Sequence, residues 1–497
     1  MGLTQPDQHR GTRVEFPSHP TFDEVVVANR LPVTRDLDED GSGLWRTSPG
    51  GLVTAMGAIT GGRRGAWVGW TGDADEVPEP FVLGGSTHLV PLSLGHDEVS
   101  DFHEGFSTAT LWPLYHDVIA QPVFRHRWWD AYLRVNERFA SSAAACAAPG
   151  ATVWVHDYQL QLVPDLIRRA RPDVRIGWFN HIPFPAAELF SQLPWREEVL
   201  RGLLGADVLG FQRRSDADNF LRTCAQVLGL STEPGSIICP DSTTADPAAA
   251  PRRVSVTAMP VSVDAQQIHE LARSRRVTER SREIRRSLGD PKTLLLGVDR
   301  LDYTKGIRHR LRAVSELLAE GELVAGEHAV VQVATPSRDR VAAYRGLRDE
   351  IEGMIGNING DHADLGVTAV HYLHQRHSRE EIVALYLAAD VLVVTPLRDG
   401  MNLVAKEFVA ARADGGGALV LSEFAGAADE LDAAYLCNPH DLSDLKRTIL
   451  RAMRDEADDA RRRMHVMRQR VLAHDVHAWA AGLLAAVETM SPQVTRG

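Results

Sequence analysis

Residues 390–407 read DVLVVTPLRDGMNLVAKE. The run 390–395 is apolar and rich in β-branched residues, which predicts a strand covered on both faces. A turn containing Gly400 follows, and Asn402 is placed to cap a helix expected over 402–413. The first amides of that helix, around Leu403, Val404 and Ala405, have no intrahelical acceptor and stand at the positive end of the dipole. A strand that feeds a helix through a short turn, with an anion site at the junction, is the repeating unit of a doubly wound α/β fold. Glu407 lies one turn further in, where its carboxylate can accept from ribose hydroxyls.

The same unit recurs in both directions from this segment. Strands are expected at 293–298, 329–334, 367–372, 418–422 and 433–437, with helical patterns at 304–320, 340–356 and 378–389. Earlier in the chain the strand patterns fall at 24–28, 66–70, 152–156, 174–179, 206–211 and 254–259, with helices at 128–145 and 215–229. Twelve such strands exceed one ordinary sheet, so the reading is two doubly wound, Rossmann-like domains. The boundary is set near 260–265, giving domains 1–262 and 263–456. A long charged helix is expected over 265–287, and 232–252 reads as a loop or insertion. The stretch 457–488, within a C-terminal segment 457–497, reads as a helix packing back across the domains.

The 497 residues carry 54 basic and 66 acidic side chains, a net charge of −12. An acidic surface repels phosphate backbones, so nucleic acid is not an expected partner. No stretch of about 18 apolar residues is present, so no membrane span is expected. The N-terminus has no apolar core of a secretory signal. Four scattered cysteines fit a reducing cytoplasm better than a disulfide framework. No GxGxxG opens a helix after a strand and no GxxxxGK[ST] occurs, which weakens a dehydrogenase or nucleotide-hydrolase reading.

Ligands of open α/β sheets bind beyond the carboxyl ends of the strands. Polar residues gather there: Arg30, His156-Asp157-Tyr158, Asn180-His181, Asp299-Arg300, Ser337-Arg338 and Arg398-Asp399-Gly400. In GVDRLDYTKG (297–306), Arg300 and Lys305 flank a short loop before a helix, an arrangement suited to a diphosphate. The bland reading pairs them internally with Asp299 and Asp302. In SPGG (48–51), Gly50 and Gly51 permit close backbone approach to a ligand. DLDEDG (36–41) lacks the glutamate that closes a calcium loop, since Thr47 stands there. DEDGS (38–42) resembles a phosphatase nucleophile motif but reads as an acidic surface loop. His371, His374 and His377 have metal-ligand spacing only on a helix, and that segment reads as strand and loop, so no metal site is expected.

Taken in order, VVVANRLP, SPGGLV, ATLWPLYH, WVHDYQL, HIPFP, LGFQ, DRLDYTKG, PLRDGMNLVAKEFVA and SEFAGAADEL resemble the trehalose-6-phosphate synthase family. The resemblance runs from about residue 22 to about 485. It implies a retaining glycosyltransferase of the GT-B type, two Rossmann-like domains facing a cleft. The implied donor is UDP- or GDP-glucose, the acceptor glucose 6-phosphate, and the product α,α-1,1-linked trehalose 6-phosphate. The implied donor contacts are Gly50, Gly51, Arg300, Lys305, His377, Asp399, Leu403, Val404, Ala405, Lys406 and Glu407. His181 would touch the donor sugar and, with Arg300 and Lys305, act in catalysis. Arg30, Asp157, Tyr158 and Arg338 would hold the acceptor, with Trp112 shaping its pocket. His103 stands where the family has a phosphate-binding tyrosine, which makes pH-sensitive acceptor binding an expectation. No metal or other cofactor is implied, and a homo-oligomer is expected. The competing reading on the same fold is a pseudo-glycosyltransferase joining a nucleotide-activated cyclitol to an amino-cyclitol phosphate.

Overall fold

The computed structural model describes residues 20–37, 43–47, 65–75, 78–83, 87–240, 251–338 and 340–488. The first part of the chain supplies β1 (Phe22–Arg30), β2 (Val33–Leu37), β3 (Gly43–Thr47), β4 (Gly65–Trp70), β5 (Phe81–Leu83) and β6 (Thr87–Leu92). It continues with β7 (Ala147–His156), β8 (Arg175–Phe179), β9 (Val208–Phe211), β10 (Ser231–Glu233), β11 (Ser236–Cys239) and β12 (Arg252–Ala258). The remainder supplies β13 (Thr293–Arg300), β14 (His328–Thr335), β15 (Val370–Leu373), β16 (Val391–Val394), β17 (Ala418–Ser422) and β18 (Tyr435–Cys437).

Ten strands form one sheet in the order β10-β11-β12-β9-β8-β7-β1-β4-β6-β5, and six form a second in the order β15-β14-β13-β16-β17-β18. The second sheet is parallel throughout. The first is parallel from β12 to β6, with antiparallel strands only at its two edges. In both sheets the winding reverses once, between β1 and β7 and between β13 and β16. Those two switch points open the crevices where such folds take ligands. Burial on both faces explains the uninterrupted apolar runs: Val25, Val26 and Val27 in β1 and Val153, Trp154 and Val155 in β7 are all inaccessible to solvent.

Several expected elements are corrected. Residues 231–239 are not loop: β10 and β11 form a hairpin that extends the sheet past β12. The helix expected over 265–287 is two, Ala265–Arg273 and Arg275–Ser287, because Ser274 leaves helical geometry and its hydroxyl accepts from Val277 N. The stretch 457–488 divides likewise into Ala457–Ala473 and Val476–Glu488. The last of these helices reaches the first sheet, where the Trp479 indole donates to Met259 O and stands 5.2 Å from Phe179. DLDEDG begins in β2, which pairs only with β3, and residues 38–42 lie outside the described part. No helix among the described residues is long and apolar enough to cross a membrane.

Candidate active site between the two sheets

The carboxyl ends of β1, β7 and β8 carry one half of the site. Arg30 ends β1, and its guanidinium lies 4.8 Å above the Trp70 ring. Gly72 makes this possible: its φ of 111° is left-handed, and a Cβ there would stand 1.9 Å from the Arg30 guanidinium. His103 projects from a π-helical segment, Val99–Leu111, toward the same place, 3.4 Å from Asn29 Nδ2 and 5.5 Å from the Trp70 ring. Burial first, then the charges of Arg338 and Arg30, push its pKa down to about 3.

The turn after β7 holds Asp157 at φ 75°, a left-handed position that Asp tolerates better than most residues. Its Oδ1 accepts from His181 N at 3.2 Å, which ties the end of β7 to the end of β8. Burial raises the Asp157 carboxyl to about 6, against the pull of backbone amides and of Arg300 and Arg338. Trp112 is buried behind Tyr158, ring centroids 5.8 Å apart.

The second sheet supplies the other half. Arg338, at φ 56°, reaches across the cleft. Its guanidinium lies 3.7 Å over the Trp112 ring and donates to Tyr158 OH at 3.3 Å, to Tyr344 OH at 2.5 Å and to Asp302 Oδ2 at 3.2 Å. Arg300 comes from the same side to 5.8 Å from that indole and forms no ion pair among the described residues. Lys305 follows a single 3-10 turn and pairs with Asp399 at 2.5 Å. Burial works to raise the Asp399 carboxyl, but Lys305 outweighs it and leaves the group below the usual carboxylate range.

Asn402 is the pivot of the next helix, Leu403–Ala411. It sits at φ 98°, its Nδ2 donates to Asp399 and its Oδ1 accepts from Ala405 N. The Ala405 amide is therefore spent on the cap, and the amides of Leu403 and Val404 are those facing outward. Lys406 points the other way: its buried ammonium holds Val261 O and Glu430, so the side chain cannot meet a ligand at the helix start. Glu407 is half-buried, accepts from Tyr386 OH at 2.9 Å, and is raised by burial. Gly400 passes so close to the first sheet that a Cβ would stand 2.8 Å from His181 O. That contact seats the Asp399 turn directly over the β8 turn.

Arg30, His103, Trp112, Asp157, Tyr158, His181, Arg300, Lys305, Arg338 and Asp399 thus line one cleft. Gly50 and Gly51 lie outside the described residues. His371 and His374 do not form a cluster with His377: His374 Nδ1 meets Ala334 O at 2.9 Å, and no metal-holding group of three side chains occurs among the described residues. The bland pairing of the two cations is corrected on both counts. Asp299 belongs to Arg310, at 2.7 Å, and Asp302 to Arg338 and the Thr304 amide and hydroxyl. Sequence reasoning missed Tyr344 and His116 as parts of the site; it placed His156 and Arg398 at strand ends without finding their partners. Arg398 crosses to Asp216 and Asp117 of the first half at 3.1 and 3.2 Å. His116 and His156 sit inside quoted motifs, but nothing local marks their partners.

The chain matches the family model of glycosyltransferase family 20 over residues 23–489. It is 51% identical to a trehalose-6-phosphate synthase of Mycobacterium avium (strain 104), over 98% of this chain and 99% of that one. Two solved structures share the fold. One is an α,α-trehalose-phosphate synthase (UDP-forming) from Burkholderia xenovorans in complex with glucose-6-phosphate, 31% identical with a TM-score of 0.84, covering 94% of this chain and 99% of that one. The other is the E. coli trehalose-6-phosphate structure bound with UDP-2-fluoro glucose, 30% identical with a TM-score of 0.84, covering 95% and 100%.

Proposed function

The chain belongs to glycosyltransferase family 20, among its trehalose-6-phosphate synthases, and from that premise we propose that it moves glucose from UDP- or GDP-glucose to glucose 6-phosphate with retention at the anomeric carbon. The observation that carries this reading is the division of the cleft's cations. Arg30 and Arg338 converge from opposite sheets beside His103, Tyr158 and Trp112, a setting for an acceptor phosphate. Lys305 is tied through Asp399 and Asn402 to the start of the Leu403–Ala411 helix, the donor side, and Arg300, at the end of β13, stands 5.8 Å from the Trp112 ring. The two neighbouring structures, one in complex with glucose-6-phosphate and one with UDP-2-fluoro glucose, support both substrates.

In this reading the donor sugar sits between Asp399 and His181, and Glu407 faces the ribose. The bond from the anomeric carbon to the diphosphate oxygen breaks as the bond to the acceptor's 1-hydroxyl oxygen forms on the same face. The acceptor proton passes to the departing phosphate oxygen. Charge therefore grows on the diphosphate, where Arg300, Lys305 and the free helix amides hold it more tightly in the transition state than in the bound donor. Arg300 is suited to this because it forms no ion pair among the described residues, and Lys305 because Asp399 fixes its position. These fixed charges do the work a divalent ion would do. Four buried free cysteines fit a reducing compartment.

The test is release of nucleoside diphosphate from UDP-, GDP- and ADP-glucose, with and without glucose 6-phosphate, in the presence of EDTA. Release from at least one donor that depends on glucose 6-phosphate and is unchanged by EDTA is expected. No acceptor-dependent release from any donor would remove the assignment. Loss in EDTA restored by a divalent ion would remove the metal-free mechanism.

A further inference from the structure

His156 and His181 stand at the ends of adjacent strands, His156 closing β7 and His181 two residues past the end of β8 at Phe179. His156 Nδ1 and His181 Nε2 are 3.1 Å apart, ring centroids 5.3 Å apart. His156 is 1% exposed, and its Nε2 is buried with no hydrogen-bond partner among the described residues. The His181 ring is held from two further sides, by Phe179 at 4.7 Å and Trp479 at 6.4 Å, and its backbone N–H is tied to Asp157. Its Nδ1 has no partner among the described residues, and Gly400 packs against the His181 carbonyl.

Burial keeps both rings neutral, the His181 pKa falling to about 4 and that of His156 well below the ordinary value. A single proton then occupies the gap between them, in one of two arrangements. If His181 Nε2 carried it, His156 would carry its own proton on Nε2, a buried N–H with no acceptor. If His156 Nδ1 carries it, the orphan is a bare lone pair instead. Orphaned buried N–H groups are the rarer case in folded proteins, and the second arrangement follows.

We infer that His156 is a positioning residue: its Nδ1–H donates to His181 Nε2 and thereby fixes His181 as an Nδ1–H donor aimed at the donor sugar. His181 then offers a hydrogen bond to a sugar hydroxyl oxygen and has no free basic nitrogen in the cleft. Removal of the acceptor proton falls to the departing phosphate, because the imidazole nearest the sugar has its only lone pair occupied. The inference rests on the proposed sugar contact of His181, and its test separates the two.

The experiment is long-range ¹H–¹⁵N correlation of the imidazoles in the full-length, ¹⁵N-labelled protein, wild type and His156→Leu, alongside kcat and KM. In the wild type at pH 7, His181 should show a protonated Nδ1 and an unprotonated Nε2, the minority tautomer of free histidine. His156→Leu should release it to the Nε2–H tautomer and lower kcat roughly tenfold, the scale of one lost hydrogen bond, with KM for glucose 6-phosphate unchanged. His156→Asn places an amide N–H near the old Nδ1 and should restore the tautomer and most of kcat; it also serves if the leucine variant does not fold. A wild-type His181 protonated at Nε2 would overturn the inference while leaving the synthase reading intact. A tautomer change in His156→Leu with kcat unaltered would overturn the positioning role and remove His181 from the sugar. Absence of turnover in the wild type with the expected tautomer would count against the proposed function alone.

Discussion

Arg300 and Lys305 look equivalent in DRLDYTKG, but their surroundings differ. Lys305 shares a buried ion pair with Asp399, and Arg300 forms no ion pair among the described residues. Arg300→Ala should therefore cut kcat by about 10²–10³, as loss of one transition-state donor does, with Tm unchanged. Lys305→Ala should cut kcat and also lower Tm, because Asp399 is left unpaired below the surface. Measuring kcat and melting on both variants checks this, and near-normal kcat in both would take them off the catalytic roster. His103 changes the expectation of pH-sensitive binding. Burial and two guanidinium groups hold its pKa near 3 in the free enzyme, and kcat/KM reports free-enzyme groups. A pKa depressed below the usual 6.5 leaves the ring neutral throughout pH 5–8. The profile of kcat/KM for glucose 6-phosphate should follow the substrate phosphate, whose second pKa is about 6, and Asp157, which burial raises to about 6. His103→Tyr should not move it. A distinct inflection lost in that variant would contradict the account.

At the scale of elements, most of the architecture is legible because a strand buried on both faces reads as an apolar run, as in β1, β7, β13, β16 and β17, and in β14 with only Gln332 interrupting it. The readings that failed share a cause. The three-residue strands β10 and β5 are too short for a period to register, and no helix is expected from the sequence over the π-helical Val99–Leu111. Ser274 broke the predicted long helix through a cap, a signal that Ser carries but that a charged helical run obscures. The site residues at strand ends were legible from the fold rule alone, whereas Arg398 with Asp216 was not, since 182 residues separate them. Charge chemistry inside the second sheet was also hidden. Arg310 and Asp299 are 3% and 2% exposed and bind each other at 2.7 Å, with Gln332 and Thr395 completing the guanidinium's partners. Removing one member of such a pair costs about 3–5 kcal/mol. Arg310→Met should therefore lower Tm markedly while kcat of the protein still folded stays near normal. Unchanged melting would show the pair to be dispensable.

At the scale of the molecule, the two sheets are joined by charge as well as by apolar contact. Arg398 reaches Asp216 and Asp117, Arg213 holds Asp429 with two bonds at 2.8 and 2.7 Å, and Arg338 spans the cleft to Tyr158. Arg398 immediately precedes Asp399, so the bond that closes the halves also sets the residue that orients Lys305. In the proposed reading Arg338 is at once an acceptor-side cation and a bridge, so filling the acceptor site would help seat the donor side. The central claim is that this assembled cleft performs a same-face transfer in which the departing phosphate takes the acceptor proton. The anomeric linkage of the product tests it most directly. After incubation with glucose 6-phosphate and the active nucleoside-diphosphate glucose, ¹H NMR should show a disaccharide phosphate whose two anomeric protons both have the small vicinal coupling of α-glucosides. A large, β-type coupling on the transferred sugar, or no disaccharide phosphate with any donor, would contradict it.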